Sequence, residues 1–146
     1  KSLDLGERTP LVIESTFDGV QIKSLEALKP SEALAALRIE APKKTLARGI
    51  ETLSSHLGKA YDFDFDMTND ESFYCSELLY PVFLAWGLHP ILEEGSLRTL
   101  ISPNAMLKSL FDPKLPPRFV HFIFYVESKD GSAHTMSKEE LIASLL

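Results

Sequence analysis

Gly58-Lys59-Ala60-Tyr61-Asp62-Phe63 and Phe73-Tyr74-Cys75-Ser76-Glu77-Leu78-Leu79-Tyr80 bracket a polar connection that carries Asp64, Asp66, Asp70 and Glu71. Beyond Cys75 the chain turns apolar as far as Trp86 and stops at Gly87. The pattern predicts a helix from about Cys75 to Trp86, with the only cysteine of the chain in its first turn. Unpaired backbone N–H groups and the positive end of a helix dipole would favour a thiolate there. The same N–H groups can stabilise the oxyanion of a tetrahedral intermediate. A lone cysteine is otherwise a small buried apolar residue or a plain surface thiol, and without a partner it forms no internal disulfide. Pro81 would remove a backbone hydrogen bond from the second turn and bend the helix.

Working outward, Leu11-Val12-Ile13-Glu14 reads as a strand, Phe17-Asp18-Gly19 as a turn and Val20-Gln21-Ile22 as the returning strand of a hairpin. Ser24 to Leu28 suggests one helical turn closed by Pro30, and Leu34 to Ile39 a third strand. Leu46, Ile50, Leu53 and Leu57 recur at helical spacing between Pro42 and Gly58, opposite a face of Lys43, Lys44, Arg48 and Glu51. Ser102-Pro103-Asn104 opens a short helix, with Ser102 as N-cap. Pro113, Pro116 and Pro117 mark a loop, and Arg118 to Glu127 is rich in strand formers. After the turn Lys129-Asp130-Gly131, Ser137 and Glu140 form a capping box ahead of a helix over Leu141 to Leu146. The order predicts one α+β domain over residues 1–146, with a small, mostly antiparallel sheet packed against the helix bearing Cys75.

Composition narrows the function classes. The 146 residues carry a net charge of -6, and no cluster of Lys and Arg offers the basic stripe that a nucleic-acid partner needs. With 45% hydrophobic and 25% charged residues the chain reads as soluble and globular. No apolar run reaches the ~18 residues that span a bilayer, so no membrane span is expected. Compartment, whether cytoplasm or cell envelope, and oligomeric state are not encoded in these features. Gly-x-Ser-x-Gly, phosphate-loop and dinucleotide signatures are absent.

Tyr74-Cys75-Ser76-Glu77-Leu78 resembles the nucleophile motif of NlpC-like cysteine peptidases, and more closely that of their circularly permuted bacterial branch, the YiiX-like hydrolases. In that branch a Gly-Lys-x-Tyr-Asp segment precedes a Tyr-Cys-Ser-Glu-Leu segment, as Gly58 to Asp62 precede Tyr74 to Leu78 here. A strand ending in Val-Ile-Glu-Ala and a Gly-Val hairpin are matched by Val12-Ile13-Glu14-Ser15 and Gly19-Val20, with Ser in place of Ala. Each motif is short, and their order is what makes the resemblance specific. It covers roughly Leu11 to Trp86 together with the helix opening at Ser102. It implies a papain-like fold in which Cys75 is the nucleophile, Glu14 the acidic partner that orients the base, and Tyr61 a residue lining the site, able to donate a hydrogen bond to the reacting carbonyl. It further implies a cysteine amidase or peptidase acting through a Cys75 thioester on an amide-linked peptide or acyl substrate. Neither metal nor organic cofactor is required, because thiolate, imidazole and oxyanion donors suffice for acyl transfer.

One element of the family pattern is missing. Its base histidine lies on a strand before Val-Ile-Glu, and Lys1 to Pro10 contain no histidine. The chain therefore reads as a domain lacking its N-terminal His-bearing strand; the other reading is an inactive papain-like binding module. A thiol-dependent lipid acyl hydrolase or acyltransferase is the further alternative, and a structural domain with Cys75 in its core the blandest. Of the internal histidines, His56 is expected to be solvated or capping, and His89 and His134 lie in loops. His121 sits on a predicted strand but among apolar neighbours, as a core or edge residue. Glu14 reads equally well as an edge-strand carboxylate, and Tyr61 as a half-buried loop aromatic. Asp62-x-Asp64-x-Asp66 lacks the Gly and Glu of a calcium loop. As an extended segment it would place its three carboxylates on one face and Phe63 and Phe65 on the other.

Overall fold

A computed structural model describes residues 10–28, 33–95, 98–112 and 120–145. The expected hairpin forms from β1 (Leu11–Thr16) and β2 (Gly19–Ser24), with Ile13 opposite Ile22 and Glu14 opposite Gln21. Gly19, at φ +89°, makes the turn, and a Cβ there would lie 2.4 Å from the Lys59 carbonyl oxygen. That close approach is used: Val20 N–H donates to the Lys59 carbonyl at 2.9 Å, and Gly58 N–H to the Val20 carbonyl at 2.9 Å. The hairpin is thereby stitched to the segment that begins the motif around Tyr61.

Leu25–Leu28 form the single turn expected, as a 3-10 helix, and β3 (Ala33–Ile39) follows. β3 pairs antiparallel with β6 (Val120–Lys129), with a bulge between Ala36 and Leu37, and β6 pairs with β7 (Ser132–Thr135). A third sheet joins β4 (Glu93–Glu94) to β5 (Thr99–Leu100). The small antiparallel sheet of the sequence reading is thus distributed over three sheets among the described residues, within an α+β fold. β4, β5 and β7 were not foreseen, because segments of two to four residues carry too little alternation to register. Pro30, the proline loop at 113–117, Arg118 and Leu146 lie outside the described residues.

The helices are α1 (Lys43–Ser55), α2 (Tyr80–Ala85), α3 (Pro103–Leu110) and α4 (Lys138–Leu145). Both predicted caps form. Ala105 N–H donates to Ser102 Oγ at 3.0 Å, and Ser137 and Glu140 exchange side-chain-to-backbone bonds of 2.7 and 3.2 Å. α1 is rotated from the face that its leucines and isoleucine suggested: Ile50 is 61% exposed and Leu57 is exposed too. The buried contact is made by Gly49, which receives the Trp86 indole from α2, while Trp86 Nε1–H donates to the Thr45 carbonyl at 3.0 Å. Thr45, Gly49 and Leu53, four residues apart, form the packing stripe. A large ring docks best where the helix carries no side chain, and that preference overrides the aliphatic periodicity.

Two core clusters result. Tyr74, Phe83, Ile101, Met106 and Leu110 form one, against which Leu37, Ile39 and Tyr61 pack. Val20, Phe73 and Leu78 form the other, with Ile13 and Leu53 against it. The substitution Gly49→Ala would set a Cβ 2.5 Å from Trp86 Nε1. Alanine favours a helix over glycine by about 1 kcal/mol, but overpacking against a ring held by its own hydrogen bond costs about 1–3 kcal/mol. A net loss is expected, read as a lower urea midpoint at unchanged slope.

Candidate active site

Phe73, Tyr74 and Cys75 are consecutive and go three ways. Phe73 enters one core cluster, Tyr74 the other, and the Cys75 side chain stays exposed. The segment is fixed from both sides. Ser15 on β1 donates its hydroxyl to the Phe73 carbonyl at 2.5 Å, and Phe73 N–H donates to the Ala60 carbonyl at 3.0 Å. On the far side, Ile101 N–H donates to the Tyr74 hydroxyl at 2.9 Å, and the Ser76 hydroxyl donates to the Ile101 carbonyl at 2.7 Å. The residues before and after Cys75 therefore hold both backbone polar groups of one fully buried residue. Nothing in the sequence linked Ser76 to a position twenty-five residues away.

Cys75 does not open a continuous α-helix. It sits in a turn, a 3-10 segment follows over Glu77–Leu79, and α2 begins at Tyr80 with Pro81 in its first turn. Proline lacks the N–H that an interior α-helical position would use, and its fixed φ suits a helix start. The bend expected at Pro81 is resolved by starting the α-helix there. A dipole argument for the thiol accordingly loses most of its force, since the α-helix begins well past it.

Tyr61 stands beside the cysteine. Burial first, then the negative charges of Cys75 and Asp62, push the Tyr61 phenol above its ordinary value, which keeps it protonated as a donor. Its ring meets Phe17 edge-on at 5.5 Å and Phe63 at 4.9 Å, and Phe17 stacks on Phe63 at 5.9 Å. Phe17 is 79% and Phe63 67% exposed, so an aromatic surface opens to solvent around Tyr61.

The carboxylates do not adopt the extended, two-faced arrangement. Asp62 is buried, and its two oxygens accept the backbone N–H groups of Asp64 at 2.9 Å and Asp66 at 2.5 Å. Asp66 accepts from the N–H and hydroxyl of Thr68 at 3.1 and 2.7 Å, and Phe65 has φ +53°. The side chains wind the loop on their own backbone, a local alternative that competes with strand pairing. Lys59 reaches across to the Asp70 carbonyl and lies 5.1 Å over the Phe73 ring. Among the described residues, no three His, Cys, Asp or Glu side chains converge as metal ligands.

Glu14 lies on β1 next to Ser15, and its carboxylate is 3.0 Å from Lys23 Nζ across the hairpin. His56 caps α1 and packs its ring on Phe73 at 4.4 Å; burial, then Lys59, lowers its pKa, against an opposing pull from Asp70. His121, on β6, points Nε2 at Glu40 from 3.1 Å. Among the described residues no imidazole is hydrogen-bonded to Cys75.

Glu77 was quoted in the motif but assigned no task. It is 3% exposed and accepts the Tyr74 N–H at 3.1 Å. Burial, reinforced by the charges of Asp62 and Asp66, pushes its carboxyl up to about 7. Tyr74, also buried, is pushed up to about 12.

An exposed cysteine is thus braced front and back on an α+β frame, with Tyr61 within electrostatic reach. The profile of the permuted papain-like amidase enzymes, the YaeF/YiiX or C92 family, matches residues 3–112, and the chain belongs to that family. Among solved structures, the crystal structure of metalloprotein yiiX from Escherichia coli O157:H7 is similar at a TM-score of 0.59 and 23% identity. The likeness covers 79% of this chain and 75% of that one, and at such identity it supports the fold alone. No curated protein matches the chain.

The raised Glu77 pKa has a definite sign. The folded chain retains a proton that the unfolded chain releases between about 4.5 and about 7. Glu77 therefore subtracts stability as pH rises through that window, and the loss is complete above it. Glu77→Gln keeps an acceptor for Tyr74 N–H and removes the titration. The variant is expected to gain thermal stability relative to the native chain between pH 4.5 and 8. Parallel melting profiles over that range would contradict the burial of a titrating carboxyl.

Proposed function

We propose that this cysteine hydrolase cleaves an amide bond through a thioester on Cys75, with Tyr61 stabilising the oxyanion and Glu14 orienting the base. Carrying the reading is the position of Cys75: an exposed thiol held between two buried anchors, at the mouth of a cavity and within electrostatic reach of a neutral phenol. The Cys75 thiol gives its proton to a base as sulfur attacks the substrate carbonyl carbon. Tyr61 donates to the developing oxyanion. The C–N bond then breaks, and the amine leaves with that proton. Water attacks the thioester, its proton passing to the base, and the acyl group departs as a carboxylic acid while the thiol is restored.

The base of this scheme is an imidazole other than those of His56, which packs against Phe73, and His121, which faces Glu40. The orienting role of Glu14 rests on the family motif; its carboxylate lies 3.0 Å from Lys23 Nζ, on the strand face opposite to Ser15. The inactive binding module is favoured by one observation, that no described imidazole bonds to the thiol. The two readings separate on reactivity, since a catalytic thiol needs a partner that activates it.

Brief treatment of the intact protein with iodoacetamide near pH 6 should add one label at Cys75, faster than to a free thiol. Labelling no faster than free cysteine would sink the catalytic reading. Where hydrolysis of an acyl amide is measurable, Cys75→Ala should abolish it. Tyr61→Phe should lower kcat by about 100-fold, the scale of one lost oxyanion donor, with little change in KM.

A further inference from the structure

Beside Cys75 opens a cavity of about 460 Å³, within the roughly 300–1,000 Å³ of small-molecule sites. Its wall includes Leu37 and Ile39 of β3, Val82 and Phe83 of α2, and Met106 and Leu110 of α3. No charged side chain lines it among the described residues. The wall holds few polar side-chain groups, and apart from one they are committed elsewhere. The Ser76 hydroxyl donates to the Ile101 carbonyl, and the Trp86 indole N–H to the Thr45 carbonyl. That leaves the Cys75 thiol, at the mouth.

We propose that this cavity is the acyl-chain subsite of the hydrolase, and that its substrate carries an aliphatic acyl group on the carbonyl that Cys75 attacks. The inference rests on the thioester reading above. A carboxylate or ammonium entering this wall would shed its water and find no side chain to replace it. A peptide stem bearing acidic or basic side chains therefore does not fit, whereas methylene groups gain from leaving water. The order of events assigns the side. The acyl half remains covalently attached after the first step, while the amine has to depart at once. The walled side suits the group that stays.

The test uses the full chain as Cys75→Ala, titrated calorimetrically with N-acylglycines from acetyl to dodecanoyl, and with N-alkylacetamides of matching length. Affinity in the acyl series should rise roughly three- to fourfold per methylene until the cavity is full, then level off. The N-alkyl series should rise much less. Ala35→Phe on β3 and Leu107→Trp on α3, two independent narrowing substitutions in the same background, should each bring the plateau to shorter chains. A flat acyl series, an equal rise in both series, or a plateau that neither narrowing variant moves would overturn the subsite. Because binding is read without turnover, an inactive native chain with the expected acyl series removes the hydrolase and keeps the subsite. An active chain with a flat series does the reverse.

Discussion

The grip on Ile101 is the constraint on which the site depends. The Tyr74 hydroxyl accepts the Ile101 N–H and the Ser76 hydroxyl donates to the Ile101 carbonyl, so the residues flanking Cys75 are fastened to a single buried residue. Each bond is worth only about 1 kcal/mol net, but breaking one strands a buried polar group at about 1–3 kcal/mol. The fastening also fixes the entry to α3, which begins two residues past Ile101 with Ser102 as its cap. Placement of the thiol and placement of the cavity wall are therefore one event. A displacement of Ile101 would move Cys75 and Met106 together.

The segment from Gly58 to Asp62 does comparable work on the other flank, mostly with its backbone. Gly58 and Lys59 exchange bonds with Val20, Ala60 receives Phe73 N–H, and Asp62 gathers the N–H groups of its own loop. Tyr61 is placed by this backbone network and by the rings of Phe17 and Phe63. Asp62 commits both oxygens to backbone donors of its own loop. Glu77, buried with the Tyr74 N–H as its donor, has its carboxyl pushed up to about 7.

How far the sequence revealed this architecture varies by element. The β1–β2 hairpin, β3, β6, α3 and the caps at Ser102 and Ser137 were readable because local chemistry alone specifies them. The papain-like class came through motif order, which the family profile over residues 3–112 bears out. The face of α1 was misread, since Gly49 announces nothing until the Trp86 ring is seen against it. The polar connection was readable as a connection, but its winding was not, because alternation of Asp and Phe imitates a strand while Asp62 folds the chain upon itself. Ser76 and Glu77 went unassigned because their partners, Ile101 and the buried surroundings, exist only in three dimensions.

Trp86 joins two of these stories. It is the only tryptophan in the chain, it is clasped by Gly49 and the Thr45 carbonyl on one side, and it lines the cavity on the other. Its indole thus faces a rigid helix behind and an adjustable space in front. Whatever enters or leaves that space changes the polarity around the single strongly fluorescent ring of the protein. The molecule carries its own optical gauge of occupancy, positioned by the same contact that locks α1 to α2.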